Sequence, residues 1–457
     1  MRVSAKAVLT GTLCAVLVGS GAAVAAVSAQ EAEQLKTALT PLGGEKAGNK
    51  EGTIPAWDGG YTTPIPGFKN GGRRPDPFAS EKPLFSITAK NMDQYADKLT
   101  DGVKAMLKKH PNTYRLDVYP TRRTGVAPQW VYDNTLKNAT RAKIIEGAAG
   151  PQPQGAYGGI PFPIPKSGVE LVWNHLLRWR GESWHFDMHA ILVTADGKRV
   201  LTSDVQAELR APYYYRDVSP EKWDGEYWAI RMTNAGPPVR AGEALLVRRN
   251  VDDSKTQGWV YLTGQRRVRK LPNPCCDTPT PASAGVMGFD DIYVWDGGGI
   301  DRFDWKLVGK KEMFIPYNTN RTYVPKRDSD VIGEHHVNPD HLRWELHRVW
   351  VVQATLAKGK RHQAPKGTYY FDEDSWIAVL ADRWDAGGRL WKTLWSLPIA
   401  APDHPAVTSE SFGFYDLVSN AWFANVVMNE KAEQLKTTPR WPDRVFTPEA
   451  MAGEGVR

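Results

Sequence analysis

The sequence predicts an α+β chain that is mostly β: a large curved antiparallel sheet forming a half-open barrel, with helices packed on or plugging one face. Three observations predict it. Helical spacing is confined to the region before residue 180, and from residue 183 the apolar period changes to two. About a dozen strand-like runs then follow at close spacing, with Gly-containing turns between them. Several of these runs are apolar on both faces, so each face needs a cover, and so many strands favour partial closure over open edges.

The elements follow in chain order. Residues 1–29 read as a secretory signal, with Arg2 and Lys6 ahead of a short apolar stretch at 7–18. Small residues at 23–25 and 27–29 offer cleavage sites, the cut after Ala29 being favoured. Residues 30–127 read as an N-terminal wrapping segment. Its stretch 40–83 is rich in Gly and Pro and has no sustained period. It also holds the clearest helix, 88–109, where Met92, Tyr95, Leu99, Val103 and Met106 fall on one face and His110-Pro111 ends the run. The sheet domain is expected over 128–457. It opens with helices at 128–146, Pro128 suiting the first turn, and at 168–178.

Strands are expected at 183–194 and 198–209 around Ala195-Asp196-Gly197, then at 226–233, 243–250, 258–263 and 266–271. A long loop, 272–301, holds Cys275 and Cys276. Strands resume at 303–308, 312–316, 342–356 and 367–371. A further pair, 376–384 and 389–397, flanks Asp385-Ala386-Gly387-Gly388, and two apolar runs lie between 407 and 428. The hexapeptide Ala-Glu-Gln-Leu-Lys-Thr occurs at 32–37 and again at 432–437, a single repeat that reads as coincidence.

Composition narrows the function. The formal charge of +7 falls by two on loss of the signal, a modest excess that argues only weakly for an anionic partner. With no recognisable binding motif, nucleic acid is not expected. The adjacent cysteines leave three options open: a vicinal disulfide, two free thiols or an intermolecular link. No nucleophile elbow, phosphate loop, H-E-x-x-H or C-x-x-C is present, which lowers the expectation of an enzyme; no catalytic residue, cofactor or metal is assigned.

His185, Asp187 and His189 alternate along one strand face, and His335, His336 and His341 in a later loop offer further metal ligands. A polar strand face and a turn explain both groups as well. Asp372, Glu373 and Asp374 form an acidic turn that is expected to be solvated, as are Asp290 and Asp291. The aromatic pattern carries more. Trp344, Trp350, Trp376, Trp391 and Trp395 sit on strands apolar on one or both faces, and they are the expected lining of a cavity for a hydrophobic ligand.

Several segments carry a family resemblance: Leu-Gly-Gly-Glu-Lys-Ala-Gly-Asn at 42–49, Gly-Thr-Ile-Pro-Ala-Trp at 52–57 and Asp-Trp-Lys-Leu-Val-Gly-Lys-Lys-Glu-Met at 304–313. Pro-Tyr-Asn at 316–318, Asn-Pro-Asp at 338–340, Arg-Trp-Glu-Leu-His-Arg-Val-Trp at 343–350 and Asp-Glu-Asp-Ser-Trp at 372–376 complete the set. Together they resemble the exported Gram-negative family called domain of unknown function 1329. That resemblance implies a fold of the LolA/LolB lipoprotein-carrier type, in which helices plug an apolar cavity. It also implies a place in the periplasm, in association with the outer membrane, and work beside an efflux-type transporter and an outer-membrane partner. It supplies no catalytic residue. The expected function is a periplasmic carrier or chaperone for a lipid or other hydrophobic molecule. The alternatives are a non-carrier adaptor docking an envelope transporter, with 272–301 and 40–83 as contact surfaces, and a metal-dependent hydrolase using His185, Asp187 and His189.

Overall fold

The computed structural model describes residues 26–296 and 298–454. The signal segment lies almost wholly outside them; of it, Ser28 caps a short helix, Ala29–Ala32. Among the described residues no helix is long and apolar enough to cross a membrane.

Sixteen strands form one sheet. One meander runs through Phe303–Pro316, Trp344–Leu356, Lys366–Asp372, Ala378–Trp384, Leu390–Ser396, Phe412–Asp416 and Trp422–Val427, each antiparallel to the next. A second runs through Ser183–Val193, Arg199–Arg210, Glu226–Gly236, Ala244–Asn250, Gln257–Leu262 and Arg267–Lys270. The last strand of the first meander pairs with the first strand of the second, Trp422 opposite Val193. Phe85–Ile87 and Leu116–Val118 extend the sheet beyond Trp344 through one parallel step, and Lys436–Thr437 pairs with the start of the Ser183 strand. Among the described residues no pairing joins the Phe303 strand to the Arg267 strand, so the sheet is not a closed barrel.

Turn chemistry explains the hairpins. Thr194 donates its N–H to the Lys198 carbonyl at 3.0 Å, and the turn passes through Gly197 at φ 82°, a conformation open to glycine. Phe303–Pro316 is one strand where two are expected, because a bulge at Leu307/Gly309 interrupts the period without ending the pairing.

Apolar residues on the two sides of the sheet build two cores. The larger takes Phe186, Met188, Val205, Leu245, Val352, Phe371 and Phe414 from the sheet. It is covered by the helices Gln129–Arg141 and Gly168–Leu176 and by the loop after Arg267–Lys270. The second takes Ile191, Val349, Val379, Trp395 and Trp422 and is covered by the helix Asp101–Lys109. Helices expected on one face are therefore divided between both. The reason is visible in the strands themselves: both faces are apolar, and each is met by a helix.

The expected helix at 88–109 is split. Thr100 turns extended and its hydroxyl accepts from the Val103 N–H, so a 3₁₀ turn, Met92–Lys98, precedes the helix proper. The helix begun at Gln129 stops at Arg141, and Lys143–Gly147 instead forms a small hairpin with Gly150–Gln154. Residues 40–83 contain no helix or strand and lie as a strap over the fold. The strap is fixed by the Trp57 Nε1–H to the Gly125 carbonyl at 2.9 Å and by Arg74 to Asp403.

Candidate functional site

The period-two pattern of three neighbouring strands aims Phe186 and Met188, Trp228, Ile230 and Met232, and Leu245 and Val247 at one space. The irregular segment after residue 277 closes it with Ala282, Met287, Phe289, Ile292 and Tyr293. The cavity is about 40 Å³ and almost wholly apolar. Three walls are methionine, a side chain that adapts to irregular partners. The roof is loop, shaped by short 3₁₀ turns such as Pro281–Ser283 and Phe289–Asp291.

Charged groups border the cavity. Arg180 lies 5.3 Å over the rings of both Trp228 and Tyr293, with its Nη2 3.6 Å from Asp296. The Tyr293 hydroxyl donates to Glu410 at 2.7 Å. Burial, and then the Arg180 charge, pull the Arg178 guanidinium down to about 9. The roof is latched by Arg383. Its Nη1 donates to Asp291 Oδ1 at 2.8 Å, and its Nη2 donates to the carbonyls of Asp290 at 2.7 Å and Val294 at 3.2 Å.

The five tryptophans do not gather in this cavity. Trp344 and Trp395 meet in the second core, beside Met106 of the helix Asp101–Lys109. Trp376 is fully buried in the larger core and donates to the Leu42 carbonyl of the strap at 2.8 Å. Trp350 packs at the edge of that core beneath Lys310, 4.8 Å from its ring. Trp391 lines a separate cleft of about 230 Å³ with Asp290, His362, Arg383 and Lys392. Two residues that line the apolar cavity, Phe186 and Met188, carried an equally readable signal: they occupy the alternate positions of the strand whose other face holds His185, Asp187 and His189.

That histidine strand does not build the metal cluster weighed as an alternative. His185 Nε2 meets Asp187 at 3.1 Å, but His189 Nδ1 turns to Asp328 at 2.5 Å. His336 is spent on the Val337 carbonyl and the Thr113 hydroxyl, and His335 stacks on His110. Among the described residues, the groups close enough to share a cation are His189–Asp328–Glu430 and His347–Asp372–Asp374.

The acidic turns, expected in water, are buried. Asp372, Glu373 and Asp374 are 0%, 2% and 2% exposed, and Asp290 and Asp291 are 1% and 3% exposed. The strap is the reason for the first set. Gly44 sits so close that a Cβ there would stand 2.7 Å from Asp374, and Arg123 binds both Asp374 oxygens at 2.9 and 2.7 Å. The roof loop and Arg383 explain the second. Cys275 and Cys276 are buried and joined as a vicinal disulfide, against which Gly299 packs.

Comparison with known proteins agrees with the motif set. Residues 86–452 match the family described as "Protein of unknown function (DUF1329)". An uncharacterized protein of Pseudomonas aeruginosa is 39% identical over 441 residues, which is 95% of each chain. A solved DUF1329 family protein from Desulfovibrio piger is 16% identical, covers 62% of this chain and 97% of its own, and has a TM-score of 0.42. A LolA superfamily protein from Nitrosomonas europaea is 12% identical, covers 63% of this chain and 100% of its own, and has a TM-score of 0.36. The chain belongs to the DUF1329 family.

Proposed function

We propose that the chain is a non-enzymatic carrier that shelters a lipid or another hydrophobic molecule between the sheet and the roof loop. The apolar cavity under a roof of loop carries this reading. At about 40 Å³ the space admits a few water-sized groups and no acyl chain. Uptake therefore requires the roof to lift away from the strand wall. The driving force is the removal of apolar cargo from water, about 0.8 kcal/mol for each methylene. The adaptable methionines accept chains of differing shape. The basic start and short apolar stretch of the sequence support a periplasmic carrier, one that would pass cargo to an envelope transporter and an outer-membrane partner.

The test is direct. Native protein is purified under mild conditions and extracted with organic solvent, and the extract is read by mass spectrometry. A stoichiometric hydrophobic species, absent from a control protein, supports the reading. A fluorescent fatty-acid analogue is then titrated into the parent and into Ala282→Phe, which fills the cavity from the roof. At least tenfold weaker binding by the variant is expected. Equal binding by the two proteins, or none by either, removes the cavity from the argument.

A further inference from the structure

We infer that His347, Asp372 and Asp374 form a site for one divalent metal ion, of the kind imidazole and carboxylate ligands select, zinc foremost. The three residues come from two paired strands and the turn that follows. His347 lies in Trp344–Leu356, Asp372 ends Lys366–Asp372, and Asp374 is two residues further on. One ligand atom from each lies within 4.8 Å of the others. That is about twice a zinc–ligand bond of roughly 2.1 Å, so one ion reaches all three after small side-chain rotations.

Buried polar atoms at the site lack well-formed partners. Asp372 is 0% exposed, and its Oδ2 accepts from the N–H and hydroxyl of Ser375 at 2.8 and 2.6 Å. Its Oδ1 has no hydrogen-bond partner among the described residues and points to His347 Nδ1, 3.8 Å away. The hydroxyl of Tyr317, also 0% exposed, interacts with Asp372 without a well-formed hydrogen bond, and its ring lies 4.1 Å from that of His347. A buried carboxylate oxygen left unpaired costs several kcal/mol unless a cation or proton meets it.

The charges around the site divide in the same way. Glu345 is paired with Arg343, Asp374 with Arg123, and Glu373 with Arg123, Arg348 and Lys310. Asp372 meets no arginine or lysine among the described residues; its one ionic neighbour is His347. The imidazole is also set for a metal. Nε2 is 2.9 Å from Glu345 Oε2, which makes that nitrogen a donor and leaves Nδ1, facing Asp372, as the nitrogen that would exchange its proton for a metal. Carboxylate, histidine and metal in series is the usual way a metal-binding imidazole is oriented. Tyr317 stands ready as a fourth oxygen. An ion here would fasten two strands of the first meander beneath the strap.

The test uses the full mature chain, purified without a metal-affinity step. It is unfolded, stripped with chelator and refolded with or without zinc. Metal analysis is expected to give one zinc per chain, and thermal unfolding a higher midpoint in the zinc-refolded sample. Cobalt in place of zinc is expected to give visible bands that move in Tyr317→Phe. Asp372→Asn and His347→Gln should each lower metal content by at least tenfold, while His189→Gln, in the other candidate group, retains it. If Asp372→Asn fails to refold, the parent protein still decides the matter through its metal content and the cobalt spectrum. No bound metal in the zinc-refolded parent, or metal retained in both Asp372→Asn and His347→Gln, overturns the assignment.

Discussion

Replacing Arg383 with Met is expected to unlatch the roof of the apolar cavity. Arg383 is 3% exposed and joins the Ala378–Trp384 strand to the loop. Its Nη1 reaches Asp291 at 2.8 Å and Asp290 at 3.4 Å, and its Nη2 holds two loop carbonyls. Removing one partner from a buried ion pair costs about 3–5 kcal/mol, because the other charge stays buried. Here the carboxylates keep second partners: Asp290 retains His362 at 2.7 Å, and Asp291 retains Lys392 at 3.0 Å. The cost therefore falls at the lower end, about 3 kcal/mol. Methionine preserves most of the packing volume, so the loss is centred on the loop. Hydrogen exchange measures it locally. The amides of Asp290 and Val294, bonded to the carbonyls of Cys276 and Asp291, should exchange about a hundredfold faster. Amides deep in the Ser183–Val193 strand should change far less. Urea unfolding gives the global part. If the loop amides exchange at the parent rate and the urea midpoint is unmoved, Arg383 is not the latch.

Three further outcomes are expected. Burial pushes the Asp382 carboxyl up to about 6, above its ordinary 3.8, even though it accepts the Gly102 N–H at 2.9 Å. The native chain then binds more protons than the unfolded chain between those values, so this group lowers stability as pH rises from 4 to 6, by about 3 kcal/mol in all. Asp382→Asn should flatten that part of the stability profile and be the more stable protein at neutral pH; parallel profiles would refute it. Trp376→Ala should cost about 3–5 kcal/mol in urea unfolding and loosen the strap at Leu42, whereas a cost below about 1 kcal/mol would mean the ring is not a core element. Intact mass should rise by two hydrogens on reduction of the unfolded protein, and an unchanged mass would show Cys275 and Cys276 to be free thiols.

The fold was largely legible because its signals are local. Period-two alternation located the long strands, and the turns at Gly197 and Gly388 marked two hairpins. What failed was the environment of polar residues. Asp372-Glu373-Asp374 resembles any solvated strand tip, and nothing nearby in sequence announces that residues 43–47 and Arg123 will cover it, since the partners lie about 250 to 330 positions away. The same holds for Asp290 and Asp291, buried by an arginine about 90 residues distant. The tryptophans were legible as buried. Which core each entered was not, because a strand apolar on both faces does not say which helix will meet which side. The hexapeptide repeat behaves differently at its two sites: it is helical from Ala32 to Lys36, whereas at 432–437 its last two residues pair with a strand.

The join between the two meanders has a consequence for how the chain is assembled. Each meander is built from neighbours in sequence and can form as its own residues become available. The seam between Trp422–Val427 and Ser183–Val193 cannot, since its partners are more than two hundred residues apart. Until the C-terminal strand arrives, one side of the Ser183 strand presents unpaired backbone, a template for pairing with another molecule. Severing the chain within the loop between the meanders would therefore leave two pieces that meet along this seam and again where Leu116–Val118, the helix Asp101–Lys109 and the strap pack on the first meander. The molecule is in that sense a self-associating pair of half-sheets held on one tether.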